Sequence, residues 1–154
     1  MKFKLCDAKS LDIVKTFECG QCFRWNANDK GVYTGVVGRY LAEVETVDNE
    51  VYITSDAPAE MWADYFDLAT DYAAVSADFT GEYLHECIDY GMGIRILRQD
   101  SWEALCSFII SQCNNITRIK GIVERLCEQF GDKCEANGVG YYTFPSAERP
   151  TLRG

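Results

Sequence analysis

The chain has 154 residues, of which 47% are hydrophobic and 25% charged, and its formal net charge is −9 at pH 7. These values are typical of a globular protein with one core or two small cores, and they argue against a disordered chain. No apolar run approaches the ~20 residues of a membrane-spanning helix, and residues 1–5 lack the apolar segment of a secretory signal, so we expect a cytoplasmic protein without a membrane partner.

The negative charge is concentrated in the first part of the chain. Residues 1–90 carry 7 Lys/Arg against 17 Asp/Glu, whereas residues 91–154 carry 8 against 7. A negative total disfavours nucleic-acid binding, but a phosphate contact depends on positive charge close to the contact. The segment after residue 90 is therefore the better candidate for binding a nucleic acid.

The first 55 residues predict an antiparallel sheet. Runs rich in β-branched and aromatic residues alternate with connections built from Asn, Asp and Gly, which favour turns. We expect strands at residues 21–25, 32–37, 39–47 and 51–55. Their short connections predict a meander. Residues 10–17 fit either a strand or a short helix.

Helical spacing replaces this pattern after Pro58, which suits the first turn of a helix. Further helix is expected from Tyr72 to Gly91. The chain thus divides into a sheet-rich N-terminal domain with its own helices, residues 1–92, and an all-helical part, residues 93–154.

Two helices with clear boundaries are predicted in the second part. Asp100 is a good N-cap, and Glu103 three residues later completes a capping-box pattern. Apolar residues surround this first helix nearly completely, which predicts a buried central helix. The second helix is expected to begin at Asn114 or Asn115 and to end at Gly131 as its C′ residue.

A polar turn, residues 112–115, joins these two helices, and Arg118 falls in the first turn of the second. Backbone N–H groups at a helix start can meet a phosphate, and Arg118 can reach further, toward a base edge. The ordinary alternatives are an Asn pair that only caps the helix and an arginine that is only solvated. The pattern still favours contact with a nucleic acid.

Eight cysteines are scattered along the chain rather than framed for disulfides. Cys19 and Cys22 form a CxxC pair, so zinc or redox chemistry must be considered. No second CxxC follows at zinc-site spacing, and His85 is the single histidine. We therefore expect neither a metal nor a cofactor, while a zinc protein remains an alternative that metal analysis would test.

Three groups of residues carry a further pattern, in order along the chain: residues 17–25, residues 65–68, and residues 93–119 with 130–131 and 144–146. They resemble the 8-oxoguanine DNA glycosylases, base-excision repair enzymes with a helix-hairpin-helix domain. The resemblance implies an α+β fold. A sheet domain like half of a TATA-binding protein would be followed by the first helices of the glycosylase domain.

The resemblance also assigns roles to residues. The family flips the damaged base out of double-stranded DNA. Its lesion-reading glycine, whose carbonyl meets the N7–H of oxidised guanine, corresponds to Gly20, and its cytosine-reading arginine corresponds to Arg118. Members often have three asparagines in the turn, the first filling the gap left by the flipped base. Cys113 stands at that position here, before Asn114 and Asn115, and a thiol does not supply the same hydrogen bonds. Asn114 could take over part of the gap filling.

The family's catalytic lysine and aspartate are expected beyond residue 154, so no catalytic residue is assigned within the chain. Residues 138–140 imitate the hairpin that precedes the lysine, but we predict a loop there. Lys120, exposed in a first helical turn, has no reason for the lowered pKa of a nucleophile.

The inferred parent function is excision of 8-oxoguanine opposite cytosine with lyase cleavage of the strand, at the nucleoid if the cell is bacterial. We expect the chain by itself to be catalytically inert and to expose apolar helical faces through which it self-associates. The alternative is a non-catalytic folding or interaction module with no DNA role.

Overall fold

The computed structural model describes residues 1–79 and 81–148. The strands in these ranges are β1 (Lys2–Asp7), β2 (Trp25–Ala27), β3 (Tyr33–Val37), β4 (Tyr40–Val47), β5 (Glu50–Ser55), β6 (Lys133–Ala136) and β7 (Val139–Tyr142). The helices are α1 (Ile13–Glu18), α2 (Ala59–Tyr65), α3 (Tyr72–Ala77), α4 (Glu82–Gly91), α5 (Ser101–Ser111) and α6 (Ile116–Phe130). The predicted α+β class is confirmed.

Five strands form one sheet in the order β1-β5-β4-β3-β2, and β6 and β7 form a separate hairpin. The strands β2 to β5 neighbour one another in sequence order, which confirms the predicted antiparallel meander. The first strand adds to its far edge, where β1 pairs antiparallel with β5 and Lys2 lies opposite Thr54. This last pairing was missed because it joins distant parts of the chain.

The chain divides into two compact units, each made of two segments. The first unit contains Met1–Gln21 and Val44–Arg98, and the second contains Cys22–Glu43 and Gln99–Gly154. These units are defined by contacts in space, and their limits differ from the domain boundary predicted between residues 92 and 93. That domain boundary stays a prediction.

Large apolar side chains fill the core of the first unit. Fully buried members of this core are Leu11, Phe17, Val44, Val51, Ile53, Trp62 and Phe66. The Phe66 ring lies 6.0 Å from that of Phe17 and 5.0 Å from that of Tyr65, measured between centroids. These contacts fix α1 and α2 within the unit.

The core of the second unit is built around α6. Ile119, Val123 and Cys127 lie one helical turn apart and pack with Phe23, and Ile110, Tyr142 and Phe144 pack against this cluster. Buried Arg24 donates from Nη2 to the Tyr142 carbonyl at 2.6 Å, and its Nε lies 3.4 Å from Glu124 Oε1. The aromatic and basic residues of segment 22–25 therefore hold α6 and β7.

Several predicted boundaries in the first 91 residues need correction. The strand expected at residues 21–25 is wrong, because β2 begins only at Trp25. Residues 10–17 resolve as the helix α1, capped by Asp12, which accepts from the Lys15 N–H at 3.0 Å. The helix expected from Tyr72 to Gly91 is two helices, α3 and α4.

The prediction that residues 93–154 are all-helical is wrong, because β6 and β7 follow α6. Asn137 and Gly138 have φ of 52° and 75°, which gives the two-residue turn typical of a tight hairpin. Residues 138–140 are therefore not a loop, since Val139 and Gly140 belong to β7.

The start of α5 is confirmed, but its predicted burial is wrong. Asp100 Oδ1 accepts from the N–H groups of Trp102 and Glu103 at 3.1 and 2.9 Å. One face of the helix packs inward through Ser107 and Ile110. The opposite face is apolar and exposed: the exposed fractions are 41% for Trp102, 51% for Leu105, 64% for Phe108 and 61% for Ile109.

The end of α6 also differs from the expectation. Gly131 is the C-cap with φ −77° and ψ 167°, so it is not in the left-handed conformation of a C′ glycine. A Cβ there would lie 2.0 Å from the Thr143 carbonyl oxygen and 2.6 Å from that of Cys127. Glycine is required here by space rather than by backbone dihedral. Within the described ranges, the helices are all too short or too polar to cross a membrane.

Candidate nucleic-acid interface

The first candidate element is the glycine loop, residues 19–21, which follows the C-terminus of α1. Gly20 is exposed and has φ +86°, a conformation that glycine adopts without steric cost. A Cβ at this position would meet nothing within 4 Å. No neighbouring group therefore demands glycine, and the space beside its Cα is open to a ligand.

The carbonyl of Gly20 accepts no hydrogen bond from any residue that the structure describes. The side chain of Gln21, by contrast, is half buried and hydrogen-bonded to main-chain groups of its own unit. The loop thus combines an available acceptor with a firmly held neighbour. Sequence analysis named Gly20 and missed Gln21, whose only signal was its adjacency to the glycine.

The second element is the asparagine turn, residues 112–115, between α5 and α6. Exposed Cys113 has φ +56°, which is uncommon for a residue with a side chain. The Asn114 N–H closes the turn by donating to the Ser111 carbonyl at 3.2 Å. The chain reverses here within a few residues, so the thiol of Cys113 lies on the outside of the turn.

The two asparagines have different surroundings. Asn114 is half buried, and its Nδ2 donates to the Ile110 carbonyl at 2.7 Å. Asn115 is the N-cap of α6, and its Oδ1 accepts from the Arg118 N–H at 2.9 Å. Of the two predicted helix starts, Asn114 and Asn115, the structure has Asn115. The amide of Asn114 is committed within the chain, which counts against a transfer of the gap-filling role to it.

The start of α6 has the geometry of an anion-binding site. Asn115 satisfies the N–H of Arg118, while the N–H groups of Ile116 and Thr117 have no acceptor among the described residues. No acidic residue lies in this first turn. The guanidinium of Arg118 is exposed and unpaired within residues 1–79 and 81–148. Positive charge and free donors therefore coincide at one end of the helix.

Other candidates can be placed as well. Lys120 Nζ donates to the Trp25 carbonyl at 2.6 Å, which gives this lysine a structural contact. Cys19 is exposed and Cys22 buried, and both are free thiols. The described part of the chain contains no group of three or more His, Cys, Asp or Glu that could hold a metal ion.

A carboxyl group with an altered pKa lies on the inward side of α5. Burial raises the pKa of Glu103 to about 7, against an ordinary value of 4.5, and the nearby Arg24 guanidinium opposes this shift. The negative charges of Asp100 and Glu124 raise the pKa further. Glu103 is thus a partly protonated group at neutral pH, next to Glu124 of α6.

The structure brings Cys113, Asn114, Asn115 and Arg118 together at the junction of α5 and α6, in the second unit. Gly20 belongs to the first unit. Each element has its own chemistry: among the described residues, the glycine loop has a carbonyl without a donor, and the start of α6 has a cationic side chain beside backbone N–H groups without acceptors.

The chain is similar to known proteins. The family model described as “8-oxoguanine DNA glycosylase, N-terminal domain” matches residues 4–105. The N-glycosylase/DNA lyase of Saccharomyces cerevisiae is 48% identical over 62 residues, covering 40% of this chain and 16% of that protein. The N-glycosylase/DNA lyase OGG1 of Arabidopsis thaliana is 28% identical over 149 residues, covering 90% of this chain and 41% of that protein.

Solved structures agree with these matches. The 8-oxoguanine glycosylase/lyase of Clostridium acetobutylicum in its apo-form is similar with a TM-score of 0.84 and 36% identity, covering 95% of this chain and 55% of that chain. The same enzyme in complex with dsDNA containing cytosine opposite 8-oxoG has a TM-score of 0.83 and 36% identity, covering 95% and 54%. The chain thus spans about half the length of this enzyme and less than half that of the two relatives above.

Proposed function

Because the chain belongs to the 8-oxoguanine DNA glycosylase family, we propose that it is the lesion-recognising portion of a base-excision repair enzyme. The complete enzyme would excise 8-oxoguanine opposite cytosine and cleave the strand as a lyase. The catalytic lysine and aspartate of the family would lie in the half of the Clostridium enzyme that this chain does not cover. The chain alone would be inert in the chemical step.

The observation that carries the proposal is the state of Gly20. Its carbonyl oxygen accepts no hydrogen bond from residues 1–79 or 81–148, and the space where a Cβ would stand is open. Oxidised guanine carries an N7–H donor that normal guanine lacks, so a single fixed carbonyl can distinguish the two bases. A glycine lets that carbonyl approach the flat edge of a base closely.

Arg118 and the free N–H groups of Ile116 and Thr117 would contact the DNA opposite the lesion. The N–H groups fit a phosphate, and the guanidinium fits the cytosine that remains when the damaged base leaves the stack. Cys113 and Asn115 would lie beside this contact. The DNA partner would thus be duplex that contains oxidised guanine, in the cytoplasm and, if the cell is bacterial, at the nucleoid.

The finer fold assignment belongs to this proposal. Residues 1–92 would be the family's sheet domain, similar to half of a TATA-binding protein, and residues 93–154 would begin its helix-hairpin-helix domain. The antiparallel sheet and the helix pair α5–α6 support this assignment.

Fluorescence anisotropy at low salt tests the lesion reading. The wild-type chain should bind duplex with one 8-oxoguanine:cytosine pair more tightly than the undamaged duplex. Gly20→Ala should remove this preference, because it crowds the base and strains a backbone at φ +86°. Gly31→Ala is the matched control, since Gly31 has φ +77° and equally open surroundings. Equal loss in both variants would contradict the role of Gly20.

A second pair of variants tests the contact opposite the lesion. Arg118→Ala should weaken binding by about 1–3 kcal/mol, with a reduced preference for cytosine over adenine as the opposite base. Arg125→Ala removes an exposed arginine from the same helix and should leave that preference intact. If both substitutions act alike, Arg118 contributes only general charge.

A non-catalytic interaction module is the second candidate, and the exposed apolar face of α5 favours it. This module would show no lesion preference and no effect of Arg118→Ala. Borohydride trapping on lesion-containing duplex adds an independent check. A covalent adduct would mean that the chain already contains a working nucleophile, which would overturn the proposed division of labour.

A further inference from the structure

Gln21 follows Gly20 directly, and its side-chain amide is held on both sides by main-chain groups. Nε2 donates to the carbonyl oxygens of Arg95 at 2.8 Å and Thr16 at 3.0 Å. Oε1 accepts from the Leu97 N–H at 2.9 Å. The amide thus bonds the Arg95 carbonyl and the Leu97 N–H, as the N–H and C=O of one residue in a parallel neighbouring strand would.

The helix α1, which precedes the glycine loop, is held by the same segment, residues 93–97. Thr16 is fully buried, and its Oγ1 donates to the Gly93 carbonyl and accepts from the Arg95 N–H, both at 3.3 Å. Thr16 in α1 and Gln21 in the glycine loop are therefore both hydrogen-bonded to residues 93–97, on either side of Gly20. All these groups lie in the first compact unit.

Gly20 itself has no comparable support. It is exposed, nothing lies within 4 Å of its Cβ position, and its carbonyl has no partner among the described residues. Glycine is also the residue with the widest backbone freedom. The direction of its carbonyl must therefore be set by its flanking residues, and Gln21 shares a peptide unit with that carbonyl.

We infer that Gln21 is a positioning residue, which fixes the Gly20 carbonyl in the direction needed to meet the N7–H of oxidised guanine. The inference rests on the function proposed for Gly20. It assigns to Gln21 no contact with DNA. A side chain that only stabilised the fold would affect damaged and undamaged duplex alike, whereas a positioning residue affects their ratio.

Two substitutions test this role in the complete 154-residue chain. Gln21→Met keeps the length of the side chain and removes the hydrogen bonds of its amide to Thr16, Arg95 and Leu97. Gln21→Glu keeps an acceptor for the Leu97 N–H and places a carboxylate oxygen against the two carbonyls, so it perturbs the loop with little change in shape. Gln129→Met is the matched control, because Gln129 is an exposed residue of α6 without a hydrogen-bond partner in the described structure.

Binding to duplex with 8-oxoguanine:cytosine and to undamaged duplex is measured by anisotropy. Both Gln21 variants should lower the lesion preference about tenfold, which corresponds to about 1.4 kcal/mol, with affinity for undamaged duplex changed by less than about twofold. Gln129→Met should keep the wild-type ratio. If Gln21→Met retains the preference while Gly20→Ala loses it, the inference is wrong and the proposed function stands. If the wild-type chain shows no preference, both are wrong.

Hydrogen–deuterium exchange gives a second readout that needs no DNA. Gln21→Met should speed exchange of the Leu97 amide and of the Gly20 loop, with protection of the β1–β5 pairing unchanged. Unchanged exchange at Leu97 would overturn the inference. Equal weakening of both duplexes would also overturn it, since that result describes a structural role.

Discussion

At the scale of single residues, the second unit places a carboxyl group where its charge is unfavourable. Glu103 is half buried on the inward side of α5, near Arg24, whose Nη1 is buried without a partner in the described structure. Burial raises the pKa of Glu103 to about 7. The proton is therefore bound more tightly in the folded chain than in the unfolded chain, which makes stability depend on pH.

We expect Glu103→Gln to stabilise the chain at pH 8 and to have little effect at pH 4. Below the ordinary pKa of 4.5 the group is protonated in both states, so it costs nothing. As pH rises to about 7, the unfolded chain ionises first and the free energy of unfolding falls. The variant avoids this loss, which is about 2–3 kcal/mol. Urea denaturation at the two pH values measures the difference.

Glu128→Gln is the control for this effect, because it removes the same charge from an exposed position on α6. Its stability difference from the wild type should change little between pH 4 and pH 8. A Glu103→Gln difference that is equally independent of pH would show that the carboxyl does not titrate as described.

Sequence analysis was informative for residues whose role is local. Asp100 and Asn115 were recognised as caps because capping involves N–H groups only two or three residues away. The contacts of Gln21 and Arg24 were not predicted, because their partners Leu97 and Tyr142 lie far along the chain. No local pattern contains such pairings.

At the scale of elements, the junction between α6 and the β6–β7 hairpin is closed by main-chain contacts. The Thr143 N–H donates to the Asp132 carbonyl, and Thr143 Oγ1 accepts from the Asp132 N–H, both at 3.0 Å. The chain passes so close to Gly131 that its Cα faces the Thr143 carbonyl directly. These contacts therefore fix the β6–β7 hairpin against the C-terminal end of α6.

Gly131→Ala should lower the free energy of unfolding by about 2–3 kcal/mol, because the new methyl group meets backbone rather than a flexible side chain. Gly140→Ala is the control, since a Cβ there meets only the Lys133 Cε, at 3.9 Å. Thermal unfolding followed by circular dichroism compares the two. Similar midpoints would show that the junction can relax at little cost.

The elements were predicted best where periodicity and end signals agreed, as in α6. The strand expected at residues 21–25 was wrong because a high β propensity indicates side chains that pack well on a half-buried surface, not a fixed backbone conformation. Phe23 and Arg24 pack on α6 without belonging to a strand. The β6–β7 hairpin had a usable signal in Asn137-Gly138, a dipeptide that favours a two-residue turn. It was missed because residues 138–140 were compared only with a family motif.

At the scale of the whole molecule, the main feature is the apolar outer face of α5. A helix that is apolar on two opposite faces needs partners on both, and residues 1–79 and 81–148 cover only one of them. Exposed apolar area of this kind promotes association in water. Self-association through this face stays a prediction.

The double variant Leu105→Gln/Phe108→Gln should bind less hydrophobic dye than the wild type and should sediment closer to a monomer. Both positions are more than half exposed, so helix content should be unchanged. The control changes Tyr83 and Leu84 of α4 to Gln, which are also exposed. A monomeric wild type without dye binding, or an equal effect of the control, would contradict the role of the α5 face.

The pairing of the glycine loop with a distant segment has a consequence for synthesis of the protein. Gln21 is hydrogen-bonded to Leu97, 76 residues later, and β1 can pair with β5 only after β5 has been synthesised. The ribosome synthesises the glycine loop early and residues 93–97, which support it, late, so the first unit can form completely only after Arg98 has left the exit tunnel. A nascent chain interrupted before that point would contain the glycine loop without the segment that supports it, and chaperones would bind it unfolded.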